Sequence, residues 1–211
     1  MERDNHQEAM PGKLALRREA LAMVSQPRVL DLFAGRGMMY RAVWHNAAAY
    51  VGSDKDLNQV LRHPAACHHA PASILLRALD LSAFNIFDLD AYGSPWEEVT
   101  ILAARRRLVP GERVAVVITD GSPRRAMLGL VAHALAALAG VEPETHGAHR
   151  RWPILVRQAM GEVARRMGGR LSELRQATGS LGKRGMWYGL AALDGPPSAC
   201  EPPGSAARTG Q

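Results

Sequence analysis

Val29-Leu-Asp-Leu-Phe-Ala-Gly-Arg-Gly37 is an apolar run that ends in a glycine turn. Arg28 to Phe33 predicts a buried strand, and Met38 to Ala47 a helix opening directly behind the turn. Glycine at such a turn lets the backbone pass close beneath a ligand where a side chain would collide. The Gly35-x-Gly37 spacing lacks the third glycine of the dinucleotide fingerprint, so a nicotinamide site is not expected. Asp31 lies inside the apolar run, a costly place for a carboxylate unless it is hydrogen-bonded. Ala49 to Ser53 predicts a second strand, ending in Asp54. In a doubly wound sheet, an acid about 20 residues beyond the glycine turn grips ribose hydroxyls. Taken singly, these features describe a tight turn and an exposed strand-end acid; together they read as a nucleoside site.

Outward from this segment, short apolar runs alternate with longer helical patterns. A weak third strand is expected near Ala65 to His69, then a helix from Ala72 to Leu81 and a strand from Phe84 to Leu89. A helix through Arg105 leads to a strand over Arg113 to Thr119. Helices come next over Ala126 to Ala139 and Ile154 to Met167, and two strands close the pattern at Leu171 to Arg175 and Met186 to Leu193. Such alternation calls for a mostly parallel α/β sheet, Rossmann-like, with helices on both faces. Residues 1–12 are expected to be flexible, 13–194 to form the domain, and the Gly-, Pro- and Ser-rich stretch 195–211 to be a disordered tail.

Composition narrows the classes. The chain has 211 residues, 47% hydrophobic and 22% charged, enough for one compact domain with an apolar core. No run of about 18 apolar residues escapes interruption by charge, so no membrane span is expected. The charged start Met1-Glu2-Arg3-Asp4 has no apolar stretch behind it, which argues against a secretory signal and for a cytoplasmic protein. Cys67 and Cys200, the only cysteines, make neither a disulfide framework nor a four-cysteine metal site. Lys plus Arg number 26 against 20 acids, a formal charge of +6. All but Lys13, Lys55 and Lys183 of these bases are arginine, which forks onto phosphate in a bidentate way. An Arg- and Ala-rich composition also arises from a GC-rich genome, so charge alone does not establish a nucleic-acid partner.

The Val29–Gly37 segment resembles the first motif of class I S-adenosylmethionine-dependent methyltransferases, which have a seven-stranded Rossmann-like sheet. By that resemblance S-adenosyl-L-methionine is the cofactor, and Asp31, Phe33, Ala34, Gly35, Gly37 and Asp54 are the residues that hold it. The family's acid near the third strand, beside the adenine, has no counterpart here; His68, His69, Pro71 and Ser73 occupy that neighbourhood. Of these, His69 is the expected adenine contact.

The second informative stretch is Phe84-Asn-Ile-Phe-Asp-Leu-Asp-Ala-Tyr-Gly-Ser-Pro-Trp96. Ligands of open α/β sheets bind beyond the carboxyl ends of strands, where this loop and the glycine turn meet. A carboxylate such as Asp90, with the carbonyl of the next residue, can accept hydrogen bonds from an amine, and an aromatic face such as Tyr92 can stack on a base. Asp, Gly and Pro are also ordinary turn residues. Asp-Leu-Asp-Ala-Tyr-Gly-Ser-Pro resembles the corresponding element of the tRNA guanine-N2 dimethyltransferase family. The resemblance implies Asp90 as catalytic carboxylate, Tyr92 as the stacking ring, and Ser94 and Pro95 as part of the substrate-binding loop. Ala91 stands where that family has proline, which loosens the turn and keeps the carbonyl. Residues 114–120 and 151–188 are similar in pattern to the family's fifth strand and its final helix and strand pair. The stretch beyond residue 193 is too short for the family's large C-terminal domain, so another surface or a protein partner is expected to help hold the nucleic acid.

Arg124 and Arg125 come just after the fifth strand on the ligand-facing rim and are the leading phosphate-binding candidates. Arg105 to Arg107 end a helix, where cations complement its dipole. Pro11-Gly12-Lys13 resembles an N-terminal element that touches cofactor in some methyltransferases, although a surface lysine is the simpler reading. His63, His68 and His69 near Cys67 do not match paired metal-ligand spacing, so no metal is expected. The expectation is a methyltransferase acting on an exocyclic amine of a nucleic-acid base, RNA (tRNA-like guanine N2) ahead of DNA. A DNA amine methyltransferase from a mobile element, a small-molecule methyltransferase and a methyltransferase-like binding or regulatory protein without turnover remain as alternatives.

Overall fold

Seven strands form one sheet in a computed structural model that describes residues 10–177 and 185–198. They are β1 (Arg28–Asp31), β2 (Ala49–Asp54), β3 (Cys67–His69), β4 (Ile86–Asp90), β5 (Arg113–Asp120), β6 (Arg170–Gln176) and β7 (Trp187–Asp194), in spatial order β3-β2-β1-β4-β5-β7-β6. The β1–β2, β1–β4, β2–β3 and β4–β5 pairs are parallel, whereas β7 runs antiparallel to both of its neighbours. The sheet is therefore mixed, with a single reversed strand, β7, inserted between β5 and β6.

The helices are α1 (Met10–Met23), α2 (Met38–Ala42), α3 (Leu57–Val60), α4 (Ala72–Ala78), α5 (Trp96–Arg105), α6 (Pro123–Ala126), α7 (His133–Ala139) and α8 (Trp152–Arg166). Period-2 alternation sends successive strand residues to opposite layers. Leu30, Phe87, Leu89, Val116 and Ile118 face Trp96, Leu135, Trp152 and Val156 of α5, α7 and α8. Val29, Ile86, Val117 and Leu190 face Leu16 and Ala20 of α1 and the buried Trp44.

Several boundaries differ from the sequence expectation. The helix α1 begins at Met10, inside the segment expected to be flexible; residues 1–9 lie outside the described ones. The helix expected over Met38–Ala47 stops at Ala42, because Val43 leaves helical geometry at φ −143° and a 3₁₀ turn over Trp44–Asn46 takes over. The helix expected over Ala126–Ala139 is two short ones, parted at Gly129, whose φ of +80° no helix accommodates. In the expected tail, Gly195 donates to the Glu112 carbonyl and the Pro196 carbonyl accepts from Gly111; residues 199–211 lie outside the described ones.

Along β7, the indole of the buried Trp187 lies over Gly189, two residues on and on the same face, where a Cβ would overlap its ring. Gly189→Ala is expected to lower stability by about 1–3 kcal/mol, the usual cost of overpacking a core, measured by urea unfolding.

Candidate active site

The strand order reverses between β1 and β4, which places the crevice of this sheet beyond their carboxyl ends. Asp31 ends β1 opposite Asp88 of β4. Because side chains alternate, Asp31, Asp88 and Asp90 all face the α1 layer. Helix α1 meets them with Lys13 and Arg17, one turn apart on the face that also buries Leu16 and Ala20.

The contacts are close. Arg17 donates from Nε and Nη2 to the two Asp88 oxygens at 2.7 and 2.8 Å, and Trp44 Nε1 donates to Asp88 Oδ2 at 2.9 Å. Lys13 Nζ lies 2.7 Å from Asp90 Oδ1 and 2.6 Å from Oδ2, and Arg17 Nη2 reaches Oδ2 at 3.2 Å. The Lys13 ammonium also lies 5.8 Å from the centre of the Tyr188 ring. Asp31 accepts from its neighbour Phe33 N–H at 3.3 Å and from the Tyr50 hydroxyl at 3.1 Å.

Three carboxyl groups thus face two cations, and their acidities diverge. Burial and the nearby Asp88 charge push the Asp31 carboxyl well above the usual carboxylate range. Burial also raises Asp88, although the Arg17 guanidinium works against it. At Asp90 burial is outweighed by Lys13 and Arg17, so its pKa falls below the ordinary value. Burial opposes the charge on Arg17, but Asp88 and Asp90 more than restore it.

The glycine turn lies alongside. Gly35, at φ +54°, has open space where a side chain would stand, and its N–H donates to Asp54 Oδ2 at 3.0 Å. The other Asp54 oxygen accepts from Asp56 N–H at 2.8 Å. Ala34 N–H bonds the Ser53 carbonyl at 2.9 Å, which fastens the turn to β2. Phe33 packs against the core on the far side of the sheet from Asp31. Gly37 starts α2 at φ +76°, where a Cβ would run into His63 and Pro64. His63 Nδ1 lies 3.1 Å from both the N–H and the carbonyl of Ala65, its Nε2 lies 3.1 Å from the Tyr50 oxygen, and the Tyr50 hydroxyl donates to Asp31.

The other expected site residues fall around this centre. His69 is exposed at the end of β3, its Nε2 at 3.1 Å from the Lys55 carbonyl. Tyr92 is 75% exposed beside the crevice, and the Gly93 carbonyl after it accepts from Gly121 N–H. Ser94 is exposed, whereas Pro95 is buried at the start of α5. Arg124 and Arg125 stand exposed on α6, just past β5. Sequence reading missed Arg17, Asp88, Tyr50 and Trp44 as parts of the site, and took Lys13 for a surface residue. The available signal was the i, i+4 spacing of Lys13 and Arg17 opposite an Asp-x-Asp strand end. Among the described residues, no group of three or more His, Cys, Asp or Glu could hold a metal ion, and no helix is long and apolar enough to cross a membrane. Burial raises the Cys67 thiol to about 11, so it is not a thiolate near neutrality.

No protein-family model and no curated protein sequence matches the chain. Solved structures do. Trm1 from Pyrococcus horikoshii, in complex with S-adenosyl-L-methionine, is 17% identical at a TM-score of 0.59, over 91% of this chain and 56% of that one. The chain thus spans little more than half of that relative's length. The N-methyltransferase NodS from Bradyrhizobium japonicum WM9, in complex with S-adenosyl-L-homocysteine, is 10% identical at a TM-score of 0.54, over 92% of this chain and 90% of that one. The 4+2 cyclase SpnF is 15% identical at a TM-score of 0.54, over 93% and 85% of the two chains. The fold is that of the class I methyltransferases, and the cyclase shows that this fold alone does not name a reaction.

The buried acids can be probed by unfolding. Arg17→Met leaves Asp88 buried without its cation and is expected to cost about 3–5 kcal/mol; Arg17→Met with Asp88→Asn recovers part of that in urea unfolding. On the opposite face of the sheet, burial pushes the Asp120 carboxyl up to about 6, against hydrogen bonds from Ser122 and Trp96. The folded state then holds this proton more tightly than the unfolded state. Its contribution is complete below about pH 4 and is lost as pH rises through 6. Relative to Asp120→Asn, the natural chain should therefore lose about 2 kcal/mol between pH 4 and 7.

Proposed function

We propose that the protein is an S-adenosylmethionine-dependent methyltransferase acting on an exocyclic amine of a nucleic-acid base, with RNA as the preferred substrate. One observation carries this reading. Asp90, the carboxylate that ends β4 at the crevice, is held charged with an ammonium, Lys13 Nζ, against both of its oxygens. An acceptor amine needs the same partner.

The residues present fit the cofactor. The open space above Gly35 admits a ligand close to the backbone, and the Asp54 oxygens keep lone pairs for ribose hydroxyls. Asp31, whose charged form is disfavoured by burial and by Asp88, is relieved by a ligand that carries positive charge, as a sulfonium with an α-ammonium does. Bound there, the cofactor supplies an electrophilic methyl group. Asp31 and Asp54 would bind and orient it, with the turn from Phe33 to Gly37 beneath.

Asp90 would accept N–H bonds from the acceptor and aim the nitrogen lone pair. In the free site Lys13 and Arg17 lower its pKa, and Arg17 stays beside it when an amine is bound, so Asp90 is a weak base whose service is to stabilise positive charge as it grows on nitrogen. The surplus proton then leaves to water. The exposed Tyr92 ring, two residues beyond Asp90 in the chain, offers a face for a base, and Arg124 and Arg125 offer cations to a phosphate chain. A base within a duplex would first have to be flipped out. The basic composition favours a polyanion over a small molecule.

Purified protein with methyl-labelled S-adenosylmethionine should label total RNA in preference to genomic DNA. Asp90→Ala is expected to lower kcat about 10²- to 10³-fold while cofactor binding persists. Tyr92→Ala should act mainly on KM. Label in DNA alone would move the substrate to DNA. Cofactor binding with label in neither pool would refute the nucleic-acid enzyme.

A further inference from the structure

Lys13 is an unusual neighbour for a group that must receive an amine. Its Nζ donates to Asp90 Oδ1 at 2.7 Å and lies 2.6 Å from Oδ2, so it covers both oxygens an acceptor would use. Lys13 is 6% exposed and Asp90 is 14% exposed at its side chain, which leaves little room for both Lys13 and an acceptor. Arg17 is anchored differently. Two bonds fix it to Asp88, and only its longer 3.2 Å contact touches Asp90. Removal of the Lys13 ammonium would therefore leave Asp90 with a cation and with the Thr119 hydroxyl as hydrogen-bond partners.

We propose that Lys13 competes with the acceptor for Asp90 and so limits transfer to one methyl group per amine. The inference rests on the amine-methylation reading above. A lysine carries its ammonium on a flexible four-carbon stem, so Nζ can leave Asp90 and return while α1 stays in place. A primary exocyclic amine has two N–H groups and can replace Lys13 at both oxygens. In the transfer, the amine lone pair forms the N–C bond to the methyl carbon, and the S–C electron pair stays on sulfur to give S-adenosylhomocysteine. The nitrogen then sheds its extra proton to water. The resulting secondary amine keeps a single N–H and can cover only one of the two oxygens that the Lys13 ammonium contacts, and Lys13 reoccupies the carboxylate. A second round needs the weaker contestant to win. In this role Lys13 sets product specificity by occupying the acceptor's place, without itself touching the transferred methyl group.

The test counts methyl groups rather than rate. Wild type, Lys13→Met and Lys13→Arg are incubated with total cellular RNA and S-adenosylmethionine bearing a trideuteromethyl group. The RNA is digested to nucleosides, and singly and doubly labelled bases are measured by mass spectrometry. Wild type and Lys13→Arg should give the singly labelled base, because both carry the competing cation. Lys13→Met keeps the stem and loses the donors, and its doubly labelled share should rise about tenfold or more, as the loss of one charge-assisted hydrogen bond predicts. An unchanged share in Lys13→Met, or a doubly labelled product from wild type, overturns the role of Lys13 and leaves the methyltransferase reading standing. No deuterium in RNA from any of the three proteins overturns the acceptor assignment and this inference with it.

Discussion

Three carboxyl groups buried on one face of a sheet, against two cations from a single helix, form the constraint around which this molecule is arranged. Asp31, Asp88 and Asp90 leave water at the carboxyl ends of β1 and β4, and unpaired carboxylates are too costly to bury there. Helix α1 answers this by turning Lys13 and Arg17 inward beside Leu16 and Ala20. Its seat on the sheet is thus set by charge as much as by apolar contact. Trp44 adds an N–H to Asp88, which ties the turn after α2 into the same centre.

Topology decides where that centre can be used. Strand order reverses between β1 and β4, so the chain leaves these neighbouring strands toward opposite sides and opens a crevice between them. The period of two then sorts the acids by face. Asp90 points to the α1 layer, and Asp120, one strand away, points to the other, where Trp96 and Ser122 satisfy it. Two aspartates at adjacent strand ends thereby differ in chemistry: one is charged beside the crevice, the other is a buried carboxyl that retains its proton to about pH 6.

The same electrostatics bears on how Asp90 can act. A carboxylate held by an ammonium and a guanidinium is a poor proton acceptor and a good partner for a nitrogen that is gaining positive charge. Asp31 has the opposite character. Burial and its neighbour Asp88 raise its pKa, and a hydrogen-bonded row from His63 through Tyr50 ends on it. The centre is thus graded, from a carboxylate kept ionised at β4 to one disposed to take up positive charge at β1.

Much of this was legible in the chain. The apolar run into Gly35-Arg-Gly37, with Asp54 at the next strand end, determined the first crossover, because a strand, a glycine turn and a helix arise from local sterics and hydrophobic period. The alternation beyond it determined the class of sheet, and Asp-Leu-Asp-Ala-Tyr marked the loop at the crevice. Local rules also misplaced some ends: Val43 and Gly129 break helices that apolar pattern alone would have continued. Only the tertiary structure decided which way β7 runs and that Lys13 and Arg17 are core residues. A helical pattern assigns charged positions to solvent, and they go inside only where buried carboxylates lie opposite. Those partners are 71 and 77 residues away in sequence, brought within hydrogen-bond reach by the fold.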